Sequence, residues 1–336
     1  MARAATWIAV LVIALLGCKP KTVAQAEADR DVKTLSENAS PEAIAALGRL
    51  ADNDTKALAA LEARASHDVN TYIAAWTAVT RNAPWGSTFL RAALNDPLRA
   101  DMAATALPRR DARLVPFVPD LENAVVRLAA GRRGSVVAGV LASIGPQAHA
   151  SVERRLVDPK TRSAMCDGIG LPEASGDAKS LVLSVPPDAR DSESCVGVVL
   201  DMAKKEDVVL GWLATTAEPG LMSQVSKSDL ACPRIATIWS KCLAERQPSE
   251  FPALSVPLQV SLRRCASTLD PVLAEMLEKA PAARSCIVNA IDPFGSELQD
   301  MRRTCQTLRK GFMYAESARV RERASDAVSH GCQFAK

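Results

Sequence analysis

The chain has 336 residues, 41 Lys plus Arg against 38 Asp plus Glu, and a formal net charge of +3. A charge this near to zero argues against a nucleic-acid binder, which needs a broad basic field. Five Trp, two Tyr and six Phe are too few for a β-sandwich or an α/β enzyme core, and an Ala- and Arg-rich chain favours closely packed helices.

The first element is a leader. Arg3 precedes an apolar run from Ala4 to Gly17 that closes on Leu15-Leu16-Gly17-Cys18. The run is shorter than the ~20 residues a helix needs to cross a hydrocarbon core, and it suits the apolar region of a signal peptide. The ending resembles the lipobox of bacterial lipoproteins, with Leu16 standing where a smaller residue is usual. That resemblance implies cleavage after residue 17 and lipidation of the Cys18 thiol, with palmitate-type acyl chains. More than one chain gives stable anchoring. Lys19, rather than the aspartate that in this family retains proteins at the inner membrane, implies an outer-membrane anchor facing the periplasm. Two other readings stay open: cleavage after Ala26, where Ala24-Gln25-Ala26 fits a small-x-small site, and an uncleaved short anchor.

Residues 18–39 read as a tether leading into a weak helix. From Ser40-Pro41, a cap followed by proline at the first helical position, the pattern becomes regular. Ile44, Leu47 and Leu50 predict one helix; Leu58, Leu61 and Ala65 a second; Val69, Tyr72, Ile73, Trp76 and Val79 a third, opening at His67-Asp68. Phe89, Leu90, Ala93 and Leu94 predict a fourth, and Asp96-Pro97 starts a fifth. Cap-plus-proline pairs return at Asp158-Pro159, Asp270-Pro271 and Asp292-Pro293, and the early spacing fits units of about 30 residues, in the range of a repeat array. Residues 121–170, with Val125–Ala130, Val136–Ile144, Gly145-Pro146 and Ala150–Val157, resemble a HEAT-type helix pair. The resemblance implies an all-α fold, an irregular HEAT-like helical-repeat solenoid, over residues 40–171 and more loosely over 191–336. Residues 172–190, with Pro172, Gly176, Pro186 and Pro187, read as a connector, within which Leu181–Val185 is either a short strand or a buried link. Further on, Cys195–Lys204, Asp207–Thr216, Ile235–Leu243, Val256–Leu269, Val272–Glu278, Ala283–Ile291, Leu298–Arg309 and Ala315–His330 read as helices.

Nine cysteines are present, and eight remain when Cys18 is set aside: Cys166, Cys195, Cys232, Cys242, Cys265, Cys286, Cys305 and Cys332. An even set in an exported chain predicts disulfides, all confined to the C-terminal half. If Cys232 to Cys242 is one helix, ~1.5 Å per residue separates the two by about 15 Å, beyond the ~7 Å that a disulfide tolerates. Hairpin-like spacing suggests Cys166–Cys195, Cys232–Cys265 and Cys305–Cys332, leaving Cys242 with Cys286.

No catalytic constellation, cofactor site or metal site is read from the sequence. Gly168-Ile169-Gly170 begins a dinucleotide fingerprint but has Glu173 in place of its third glycine and no strand before it. Gly131-Arg132-Arg133-Gly134 is a polar turn before it is an anion cradle. The histidines His67, His149 and His330 share no ligating spacing. Arg302, Arg303, Arg309, Lys310, Arg319 and Arg323 form a basic C-terminal stretch open to an anionic partner, or simply the solvated cap of the array. The expected function is a membrane-anchored periplasmic scaffold with a protein partner. An envelope hydrolase acting on peptidoglycan or peptides, and a purely structural envelope component, are the alternatives.

Overall fold

A computed structural model describes residues 21–172, 174, 176–186, 189–190, 192–216, 219–246, 248–310 and 317–334; Cys18 and the apolar run before it lie outside the described residues. The described chain is all-α, with no strand. It divides into two compact units, one of residues up to 108 with 119–124, the other of 109–118 with everything from 125 onward.

The first unit holds α1 (Val23–Ala28), α2 (Val32–Glu37), α3 (Pro41–Leu50), α4 (Thr55–Arg64), α5 (Val69–Thr80), α6 (Pro84–Asn95) and α7 (Ala100–Ala106). Local chemistry sets most of the starts. Thr22, Asp31, Ser40, Asp54 and Asp68 each accept a first-turn amide, and Pro41 and Pro84 fill first-turn positions that need no donor. The stretch expected to be a tether leading into a weak helix thus folds from residue 21 into two short helices: Ala26 in α1 and Leu35 in α2 are fully buried. The packing is next-but-one, α1 on α3, α3 on α5, α5 on α7, and α2 on α4, with α5 and α6 forming a hairpin. Leu47, Leu61, Tyr72, Leu90 and Leu94 make the core. Asp96 does not start a helix. Its carboxylate accepts from the Leu98 amide 2.8 Å away, closing a local turn, and α7 begins one turn later.

In the second unit the helices are α9 (Arg132–Ser143), α10 (His149–Val157), α11 (Pro159–Gly170), α12 (Gly176–Leu181), α13 (Glu193–Ala203), α14 (Leu210–Ala214), α15 (Pro219–Lys227), α16 (Cys232–Glu245), α17 (Phe251–Lys279), α18 (Arg284–Ala290), α19 (Arg302–Arg309) and α20 (Ala318–Asp326); α8 (Val118–Leu128) precedes them. Leu181–Val185 is a helix end followed by a 3-10 turn, not a strand. At Gly145 the chain takes φ +95°, a value that glycine adopts without strain, and this turns α9 into the short turn before α10. Again helices meet next-but-one: α9 on α11, α11 on α13, α13 on α15, α15 on α17, α17 on α19, with α10 on α12, α14 on α16 and α18 on α20.

The two helices expected at Val256–Leu269 and Val272–Glu278 are joined end to end as α17, and the break between its two helical segments is a kink at Cys265, where φ is −126°, rather than at Asp270-Pro271. Asp270-Pro271 therefore lies inside a helix. The buried Asp270 carboxylate accepts instead from the Arg303 and Thr304 amides, 2.9 and 2.7 Å away, capping α19 from 33 and 34 residues upstream. An acid at a helix N-terminus both satisfies orphan donors and complements the dipole.

Long polar links repeat this spacing. Arg234 Nη1 donates to the Ala203 carbonyl at 2.7 Å, 31 residues away; Arg246 reaches Ala214 at 32; Arg264 reaches Leu230 at 34; Arg323 reaches Ile291 at 32. Each accepting carbonyl sits at or just past a helix end, where backbone acceptors lack intrahelical partners and a cation is favoured. In the first unit Arg64 does the same for Ser36, 28 residues away at 2.7 Å.

Candidate functional site

Helix α11 comes unusually close to α9. A Cβ at Gly168 would lie 2.5 Å from the Gly139 amide nitrogen and 2.7 Å from Ala138 Cβ, distances no real Cβ tolerates, so the contact requires glycine. Gly168-Ile169-Gly170 thus serves packing at the end of α11; no phosphate turn exists there. Beside this contact opens a depression of about 650 Å³, lined by Gly131, Arg132, Ser135, Ser163, Asp167 and Leu171. Asp167 and Leu171 also line a second one, of about 270 Å³, together with Gly170, Lys179, Ser194, Gly197 and Asp201. The two share Asp167 of α11 and Leu171 at its C-terminal end, the first bounded by α9 and the second by α13, and together they are termed the groove.

The groove has a small-residue floor and a mixed polar wall. Ser135 Oγ donates to Asp167 at 3.3 Å, and Asp201 meets Lys179 at 3.8 Å and Lys204 at 3.7 Å. The Cys166–Cys195 disulfide ties α11 to α13 at its base, with both cysteines fully buried. Gly197 faces the open side, where an added Cβ would meet nothing within 4 Å. Gly131 caps α9 and borders the groove, while Gly134 presses on the Leu128 carbonyl, so the Gly131–Gly134 turn joins helices. A smaller cavity, about 150 Å³, lies in the first unit between α3 and α5, with Ala45, Gly48, Ala74 and Ala78 as floor and Arg49, Asp52 and Arg81 at the rim.

The cysteines fall into two sets. Cys166–Cys195, Cys232–Cys265 and Cys305–Cys332 are disulfides. The fourth pair expected, Cys242 with Cys286, is not formed: both are buried free thiols. Burial is the main cause that pushes Cys242 up to about 11 and Cys286 up to about 12, the latter helped by Cys242 nearby, so neither is a thiolate at neutral pH.

The basic C-terminal stretch is not a single patch. Arg309 donates to the Cys332 carbonyl at 2.8 Å and Arg323 to Ile291 at 3.3 Å, while Lys310 pairs with Glu278 at 2.6 Å and holds that carboxyl below its ordinary value. Arg302, Arg303 and Arg319 are exposed. Half the cations are thus committed to the fold. His67-Asp68 is a helix entry, Asp68 accepting from the Asn70 amide at 2.9 Å. His330 stacks on the exposed Phe294, ring centroids 5.1 Å apart.

Residue periodicity gave no sign of the groove, because its walls come from three helices that meet only through tertiary packing. The usable signal was the pair of glycines at facing positions of α9 and α11. Among the described residues no group of three or more His, Cys, Asp or Glu is placed to hold a metal, and no helix is long and apolar enough to cross a membrane. In comparisons with known proteins, the chain matches no family model, no curated protein and no solved structure.

Proposed function

We propose that this is an exported, lipid-anchored helical-repeat protein of the bacterial envelope that holds a protein partner in the α9–α11–α13 groove, without catalysis. The observation that carries this reading is the next-but-one packing, with polar links recurring about every 30 residues. Stacked helix pairs of this kind, HEAT-like in arrangement, expose a continuous row of helices on which a ligand chain lies. A floor of Gly, Ala and Ser brings a bound backbone close. Asp167, Asp201, Lys179 and Arg132 supply orienting charge.

Two features support anchoring through Cys18. Three disulfides accord with an oxidising compartment. Ala26, the competing cleavage position, is buried in the middle of α1, whose capping box joins Thr22 and Gln25. A cut there would remove the residues that start the helix.

The test fills the groove. Gly197→Trp has free space to enter and leaves the α9–α11 contact intact, so the variant should match the natural protein in circular dichroism. Pull-down of the full-length protein from solubilised envelopes should recover a partner that the variant loses. Recovery of no partner, or equal recovery by both, overturns the reading.

A further inference from the structure

The fold begins almost at the anchor. Lys21 pairs with Asp29 and Asp31, each at 3.0 Å. Thr22 starts α1 with a reciprocal capping box. Asp31 also caps α2 through the Thr34 amide at 3.2 Å, so one carboxylate serves both the strap and the next helix. Glu27 takes two Arg49 donors, at 2.5 and 2.6 Å, and this binds α1 to α3. With Ala26 and Leu35 fully buried, the first unit engages the chain from Lys21 onward. Only three residue steps separate Lys21 from Cys18. At full extension they reach at most about 11 Å.

We propose that the lipid headgroup surface is a direct partner of the α1–α2 end of the first unit: with Cys18 acylated, this end is seated on the membrane and not suspended above it. The inference rests on the lipid-anchor reading of Cys18 and adds to it a position. Acyl chains place the Cys18 sulfur at the boundary between hydrocarbon and headgroups, and a connection of about 11 Å spans little more than the headgroup layer. A mobile linker of about twenty residues would instead have given a mean reach of roughly 25 Å. Seating fixes which part of the protein can meet a partner in the aqueous space, since the α1–α2 end is occupied.

Energy transfer measures the separation. The acylated full-length protein carries a donor dye on Lys33→Cys, an exposed position on α2, in phosphatidylcholine vesicles with rhodamine-labelled headgroups as acceptors. The native free thiols, Cys242 and Cys286, are buried and stay unlabelled. Transfer should fall at least about twofold when about twenty Gly-Ser residues are inserted between Lys19 and Pro20, a site that leaves the Lys21 strap in place. Equal transfer with and without the insert overturns the seating alone. A Cys18 shown by mass spectrometry to carry no acyl chain overturns the anchor reading and the seating with it. Loss of vesicle binding in Cys18→Ser, with the insert effect present in the natural background, supports both.

Discussion

In the first unit Tyr72 and Phe89 pack with ring centroids 5.7 Å apart, Trp85 meets Phe89 edge-on at 6.0 Å, and there is no cysteine among the described residues. In the second unit Trp239 stands at the α16–α17 hairpin with its indole donating to Ser261 at 2.8 Å, and three disulfides cross the unit. Short helices of three turns or fewer are marginal alone, so each unit needs a source of stability besides propensity. The first obtains it from a concentrated aromatic cluster, which desolvates Tyr72 enough to push its phenol up to about 12. The second obtains it from covalent links between helices and from arginines that close helix ends. Buried Arg190, pulled down to about 10 by desolvation while it stacks 4.5 Å over Trp212, shows how deep those closures sit.

The sharpest way to break the comparison is to exchange the stresses. Phe89→Ala should cost the first unit roughly 3–5 kcal/mol, through lost burial and the cavity left behind. Reductant should leave this unit unchanged. In the second unit each bridge closes a loop of 27 to 33 residues, for which loop-closure entropy gives about 3–4 kcal/mol per bond. Hydrogen-exchange mass spectrometry with and without reductant reads both: α3–α6 peptides should keep their protection while α11–α19 peptides lose it. Equal loss in both units would show that the bridges stabilise the chain as a whole and that the contrast is false.

The same contrast explains what could be read from sequence. Helical class and the presence of disulfides beyond residue 165 follow from composition, period and cysteine placement, and the caps Ser40, Asp68 and Asp158 mark real helix starts because each bonds an amide two or three residues on. The cap-plus-proline pairs at Asp96, Asp270 and Asp292 do not start a helix at that point. Asp96 and Asp292 close local turns, and Asp270 caps a helix that lies 33 residues later in the chain. A local signal cannot tell these fates apart. Helices α1 and α2 were legible only as one weak helix after a tether, for a related reason: each has six residues, and what holds them is the Glu27–Arg49 link, 22 residues long, and burial against α3 and α4. The groove depends on Gly139 and Gly168 facing one another across two helices, an arrangement that no single helical period displays.

Glycine gives a finer test within the second unit. At Gly168 an alanine must push Gly139 and Ala138 apart, and overpacking of this kind costs about 1–3 kcal/mol. At Gly197, on the neighbouring groove-lining helix, an added Cβ meets nothing within 4 Å, so Gly197→Ala should stabilise by roughly 0.5–1 kcal/mol through helix propensity. Thermal unfolding of the two variants should therefore move in opposite directions. Stabilisation by Gly168→Ala as well would mean that α9 and α11 are not in close contact at the floor of the groove.

The smallest expected effect concerns the first unit alone and has a definite pH sign. Hydrogen bonding to Arg49, the largest cause, holds the Glu27 carboxyl below its ordinary value. A carboxyl lowered in the folded state contributes stability that is fully present above its unfolded value, about 4.3, and is lost as pH falls through the folded value. The side chains are 43% and 28% exposed, so screening limits the pair to about 0.2–1 kcal/mol. Acidification from pH 6 toward 3 should release α1 exchange protection before that of α5 and α6, and Glu27→Gln should remove the pH-dependence while lowering α1 protection at pH 6. Release of α1 at the same pH in Glu27→Gln and in the natural protein would assign the acid sensitivity to Asp31, whose carboxyl is also held low, first by the Thr34 amide and then by Lys21.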